Sequence, residues 1–156
     1  MKKIDQISED AKVLRERLVE KIPSHFGMKH LVTAFFGALF FGFSFMLNSL
    51  LFQIGLSLDN YNLLMITFCT WVILTAEIYF VGYTRVPDPD KRHFGQFWIK
   101  RLVAYYCIAI FTSFLLLSVY GITELVAVPY NVLKLVVAVG FPAAVGAAVS
   151  DLLGKY

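Results

Sequence analysis

The chain has 156 residues, of which 58% are hydrophobic and only 16% charged, and its formal net charge is +3. A soluble domain of ordinary make-up is about 45–50% apolar and 25% charged, so this composition excludes a water-soluble globular fold, and the small positive charge is no nucleic-acid signal. What remains is a polytopic membrane protein. Apolar stretches at about 31–55, 61–84, 102–125 and 130–153 are each long enough for the ~30 Å hydrocarbon core, which takes about 20 helical residues at ~1.5 Å rise. The expected fold class is an all-α integral membrane protein, a four-transmembrane-helix bundle over 24–156 preceded by a cytoplasmic amphipathic helix over 1–23.

Charge placement orients the chain. Lys2, Lys3, Lys12, Arg15, Arg17, Lys21 and Lys29 precede the first span, and Arg85, Lys91, Arg92, Lys100 and Arg101 lie between the second and third. Lys155 follows the fourth, and only Lys134 falls on the opposite side. The positive-inside rule then puts both termini in the cytoplasm of a multi-pass cell-membrane protein. Residues 5–21 are polar and helix-forming rather than an apolar signal core, so no cleavable signal is expected.

In residues 4–22, Ile4, Ile7, Ala11, Leu14 and Leu18 recur with 3–4–3–4 spacing, and Pro23 stops the helix. Three readings of this helix stay open: lying on the inner membrane face, pairing between subunits, or docking a cytoplasmic partner. The first span carries Ala34, Gly37, Ala38 and Gly42, small residues that permit close helix approach. Its outer half turns polar at Ser44, Asn48, Ser49 and Gln53, which predicts interhelical hydrogen bonds or the lining of a polar vestibule.

The second span holds Glu77, about seven residues from its cytoplasmic end. An ionisable group at that depth is costly and by default points to a functional site facing protein or water. By residue counting, the other spans offer Gly37 and Ala38, Tyr106 to Ile108, and Gly146 and Ala147 at its level, and the nearest cations, Lys100 and Arg101, lie about 10 Å lower. Glu77 therefore reads either as a structural lock hydrogen-bonded to Tyr105, Tyr106 or a backbone carbonyl, as a proton or cation site, or as a contact with a neighbouring subunit.

In the linker, Asp88-Pro89-Asp90 is a turn from which a helix runs into the third span. Phe94, Phe97, Trp98 and Arg101 share one stripe of it, so Lys91, Arg92, Phe97, Trp98, Lys100 and Arg101 are expected as lipid-interface anchors, with anionic lipid as a candidate ligand. The fourth span runs through Gly140, Pro142 and Gly146 with four alanines, which predicts a bend and a nearly smooth packing surface. Glu124 and Lys134 are placed to pair at the outer boundary, and Asp151 to meet Lys29, Lys100 or Arg101 at the inner one.

His25, His30 and His93 lack metal-ligand spacing, so neither a metal site nor a cofactor is expected. Cys69 and Cys107 fall at different depths and read as free packing cysteines. No nucleophile elbow, zinc-binding or phosphate-binding motif occurs, which leaves little basis for an enzyme. The leading functional reading is a homo-oligomeric channel or transporter for a small ion or solute. Its pore would be lined by the polar outer half of the first span and gated near Glu77, with Glu77, Asn48, Ser44, Gln53 and Tyr106 as the candidate transport residues. The alternative is a non-transporting scaffold or accessory subunit acting through its N-terminal helix and small-residue faces.

The runs Gly37-Ala38-Leu39-Phe40-Phe41-Gly42 and Phe141-Pro142-Ala143-Ala144-Val145-Gly146-Ala147-Ala148 resemble an uncharacterised prokaryotic family of small integral membrane proteins. The resemblance covers the first and fourth spans and implies a bacterial or archaeal cytoplasmic membrane without implying an activity. Where the family's pattern often has an acidic residue, this chain has Asn48 or Ser49, and no functional residue carries over.

Overall fold

The computed structural model describes residues 27–83, 94–126 and 128–153, and no strand occurs among them. The expected helix at 4–22, the Asp88-Pro89-Asp90 turn, Lys91 and Arg92 lie outside the described residues. The elements are α1 (Met28–Met46), α2 (Ser49–Ser57), α3 (Asn60–Glu77) running on into a π-helical turn (Ile78–Tyr83), α4 (Phe94–Val119), α5 (Ile122–Leu125) and α6 (Pro129–Leu153). Among the described residues, four segments are long and apolar enough to cross a bilayer: Met28–Met46, Asn60–Phe80, Trp98–Val119 and Pro129–Leu153. Their outward faces carry large apolar side chains such as Phe36, Phe40, Leu64, Phe68, Phe111 and Phe114, a surface suited to lipid.

The stretch 31–55, expected as one span, is two helices. Leu47 closes α1, Asn48 takes an extended backbone, and the Asn48 side chain accepts from the Leu50 N–H at 3.0 Å. Asparagine favours this capping geometry over a helix interior because its amide oxygen replaces a missing backbone acceptor. The 19 residues of α1 already reach about 28 Å at ~1.5 Å per residue, so the break falls near one edge of the hydrocarbon layer. At the far end of α4, Gly121 turns the chain with a left-handed φ of 68°.

α6 is the central helix, packing on α1, α2, α3 and α4, whereas α3 and α4 scarcely touch. The reason lies in its sequence. With Gly140, Ala143, Ala144, Gly146, Ala147 and Ala148 it presents little bulk on any side, so neighbours close in all round; 61% of its apolar window is buried, against 17% for the α3 window. The closest approach is between α1 and α6. A methyl group added to Gly146 would lie 2.6 Å from the Gly37 carbonyl oxygen and 2.7 Å from Phe41 Cβ, contacts that only a missing side chain allows. Pro142 is buried in a helix assigned without interruption from Pro129 to Leu153.

Two apolar clusters fill the interior. One, at the Met28/Leu153 end, gathers Ala34, Ala38, Leu74, Ile78, Leu102, Tyr105, Ala109, Leu152 and, from α6, Ala143, Ala144, Ala147 and Ala148. The other, at the Asn48/Pro129 end, gathers Met46, Leu116, Leu117, Leu135, Val136 and Val139. Between them α4 contributes Thr112 and Ser113, α6 Gly140 and α1 Gly42, all buried, and α3 buries Thr70 one turn from Leu74. The middle of the bundle is thus a layer of small and hydroxyl-bearing residues.

Candidate functional site

The densest polar grouping lies at the Met28/Leu153 end. Asp151, in the last turn of α6, receives Tyr105 Oη–H on Oδ2 at 2.5 Å and lies 3.6 Å from the Arg101 guanidinium on that same oxygen. His30 Nδ1 stands 2.6 Å from Oδ1. Oδ2 thus takes the phenol and faces the guanidinium, while Oδ1 faces the imidazole. The four groups come from three helices. His30 stands near the start of α1, Arg101 and Tyr105 follow one another at i, i+4 on α4, and Asp151 sits near the end of α6.

The setting is dry. Arg101 and Tyr105 are fully buried and Asp151 is 2% exposed, while His30 is 8% exposed. Ala34, Leu102, Ala147, Ala148 and Leu152 belong to the core at this level, and Trp98 packs against it. Charges in such a place survive only when paired and hydrogen-bonded.

A second polar region lies deeper. Glu77 ends α3 where the ladder changes to the π-helical turn Ile78–Tyr83, a rare geometry frequent at functional sites. Its neighbours Leu74 and Ile78 are in the same core cluster as Tyr105. Glu77 Oε2 is buried and has no hydrogen-bond partner among the described residues. In the middle layer, Thr112 Oγ1 is buried in the same condition. Thr70 and Ser113 instead bond back along their own helices, to Ile66 O at 2.7 Å and to Ala109 O at 2.8 Å.

The residues singled out from sequence scatter around these two regions. Tyr105 bonds to Asp151 rather than to Glu77, and Tyr106 sets its ring edge-on to Trp71 at 6.0 Å. Ser44, Asn48 and Gln53 are exposed. Ser44 bonds to Phe40 O within α1 and Asn48 caps α2, so neither bridges two helices of the bundle. Gly37, Ala38, Gly42, Gly140, Pro142 and Gly146 are all buried within one chain, so their tight packing is intramolecular.

Of the expected interface anchors, Lys100 is exposed, Trp98 is half-buried and Arg101 is turned wholly inward, because Asp151 offers it a countercharge across the bundle. Lys134 reaches Leu56 O at 3.5 Å and lies 5.0 Å from the Tyr130 ring centroid, an arrangement in place of the anticipated pairing with Glu124. Cys69 and Cys107 are free and exposed rather than packed inside. The His30–Tyr105 part of the Asp151 cluster escaped sequence reasoning. The signal available was equal depth: His30, Arg101 and Asp151 all stand within a few residues of the same bundle end.

A family model described as "Putative integral membrane protein (DUF2391)" matches residues 3–153. The chain belongs to this family of integral membrane proteins, whose description assigns no activity. Comparisons with curated proteins and with solved structures gave no significant match.

Proposed function

We propose that this protein passes a small ion across the membrane through polar groups inside its own bundle, with the Met28/Leu153 end facing the cytoplasm. The observation that carries the reading is Glu77 Oε2, a buried carboxylate oxygen within a span and without a hydrogen-bond partner among the described residues. Unsatisfied buried polar atoms are rare and costly, and an ion or a passing ligand is one of the few explanations for their retention. Thr112 Oγ1 adds a second such atom one to two turns further along by helix register. The abundance of Lys and Arg near the first span and in the 85–101 linker supports the orientation.

Ser44 and Gln53 face outward, so they would line a path only where subunits meet. The scaffold alternative relied partly on the small-residue faces of α1 and α6, and those faces are occupied by each other. The test is ion flux through purified protein in liposomes, wild type against Glu77→Gln. The expected result is a selective wild-type flux that the substitution alters at least tenfold in rate or clearly in selectivity. An unchanged flux removes Glu77 from the mechanism, and silence of folded wild type towards every ion removes the transport reading.

A further inference from the structure

We infer that the His30–Asp151–Tyr105–Arg101 cluster is a proton-loading site at the mouth of that pathway, so that the ion carried is a proton and not a metal cation. The inference rests on the reading of Glu77 as part of an ion path and deepens it by naming the ion.

The chemistry of the cluster separates the two classes of ion. A calcium-like cation takes six to eight oxygen ligands at about 2.3–2.6 Å, and magnesium an octahedral set at about 2.0–2.1 Å. Asp151 has no oxygen to give. Oδ1 is held by His30 at 2.6 Å, and Oδ2 by Tyr105 at 2.5 Å with Arg101 3.6 Å away. The surrounding core residues Ala34, Leu102, Ala147, Ala148 and Leu152 offer no side-chain ligand. Among the described residues no three His, Cys, Asp or Glu side chains are grouped to hold a metal. A proton needs none of this. It needs groups that exchange one hydrogen, and imidazole, carboxylate and phenol stand in direct contact here.

His30 is where the proton would enter. At 8% exposure it is the most accessible member of a cluster whose other three members are 0–2% exposed, and imidazole is the side chain that ordinarily changes charge between about pH 5 and 8. Among the described residues, the elements packed at this end carry the following charged and titratable groups. α1 adds the exposed Lys29, α4 supplies Arg101, Tyr105 and the exposed Lys100, α6 supplies Asp151, and α3 with its π-helical turn supplies Glu77 and Tyr79. The step balances as one proton taken from water onto the imidazole. No bond between heavy atoms changes. Tyr105 belongs to the cluster and also to the core that contains Leu74 and Ile78, the residues beside Glu77 on its helix.

The experiment measures proton, Na⁺ and K⁺ flux in liposomes with entrapped pH-sensitive and cation-sensitive dyes, using the full chain. Wild type should carry protons and exclude both metal cations; His30→Gln should lower proton flux at least tenfold and flatten its dependence on pH, while Glu77→Gln lowers it at every pH. Flux of Na⁺ or K⁺ without protons overturns this inference and leaves ion passage standing. No flux of any ion through folded protein overturns the reading beneath it. Proton flux with an unchanged rate and pH profile in His30→Gln overturns the loading site alone. Should His30→Gln fail to fold, the His25→Gln/His93→Gln variant keeps His30 as the sole histidine of three. Its imidazole nitrogen resonances should then move with pH, and resonances fixed between pH 5 and 9 would sink the proposal.

Discussion

Asp151 and Glu77 are both acids inside an apolar bundle, and the protein treats them in opposite ways. Around Asp151 three helices converge, and every carboxylate oxygen has a charged or hydrogen-bonding neighbour. Around Glu77 one carboxylate oxygen is left without a partner among the described residues. The first is a fastening that joins α1, α4 and α6. The second stands at the junction of an α-helix with a π-helical turn, on the helix least enclosed by the others. A network saturated with heavy-atom partners joins helices and leaves only protons to exchange, whereas an unsatisfied oxygen keeps the capacity to take another partner.

The largest break in that contrast should come from Asp151→Leu. It removes the Asp151 carboxylate from beside the fully buried Arg101, and removing one partner of a buried pair typically costs about 3–5 kcal/mol. Thermal unfolding in detergent should show a fall in midpoint of many degrees. Asp151→Leu combined with Arg101→Met should recover a large part of the loss, since replacing both members with apolar groups is often close to neutral. A double variant as unstable as the single one would show that the pair is not the unit of stabilisation. Gly146→Ala comes next. Its methyl would press on the Gly37 carbonyl and Phe41 Cβ, and overpacking of this kind costs about 1–3 kcal/mol. Because the α1–α6 crossing also sets the His30–Asp151 spacing, the same variant should disturb the pH dependence of flux more than Ser44→Ala, which lies on the exposed face of α1.

The division between what sequence made legible and what it hid follows the same lines. Span number and the all-helical fold follow from length and hydropathy, because a bilayer leaves the backbone few choices. Glu77 stood out because a lone acid in an apolar run is conspicuous on one strand of text. The Asp151 cluster was not conspicuous, since its members are 121 and 46 residues apart along the chain and each reads alone as a boundary residue. Arg101 in particular looks like an interfacial anchor until the rotation of α4 about its axis is known, and rotation depends on how α6 packs. The break at Asn48 was hidden for a related reason. A capping asparagine and a polar pore-lining asparagine have the same local sequence, and only the backbone distinguishes them.

Smaller effects sharpen the contrast from the other side. Glu77→Leu removes a buried carboxylate that has an unpartnered oxygen, so stability should change by no more than about 1 kcal/mol and in the favourable direction, while flux is lost. Loss of stability comparable to that of Asp151→Leu would mean that Glu77 is a second fastening, and the comparison would collapse. Thr112→Val gives the smallest change and the cleanest sign. The substitution keeps the shape of the side chain and deletes a buried hydroxyl whose oxygen has no partner among the described residues. Where Thr70→Val would forfeit a bond to Ile66 O and destabilise by roughly 1 kcal/mol, Thr112→Val should be neutral or stabilising by a few tenths. Paired unfolding midpoints for the two variants decide the matter: equal losses would show that Thr112 is satisfied in the membrane after all, and the middle layer would then be packing rather than path.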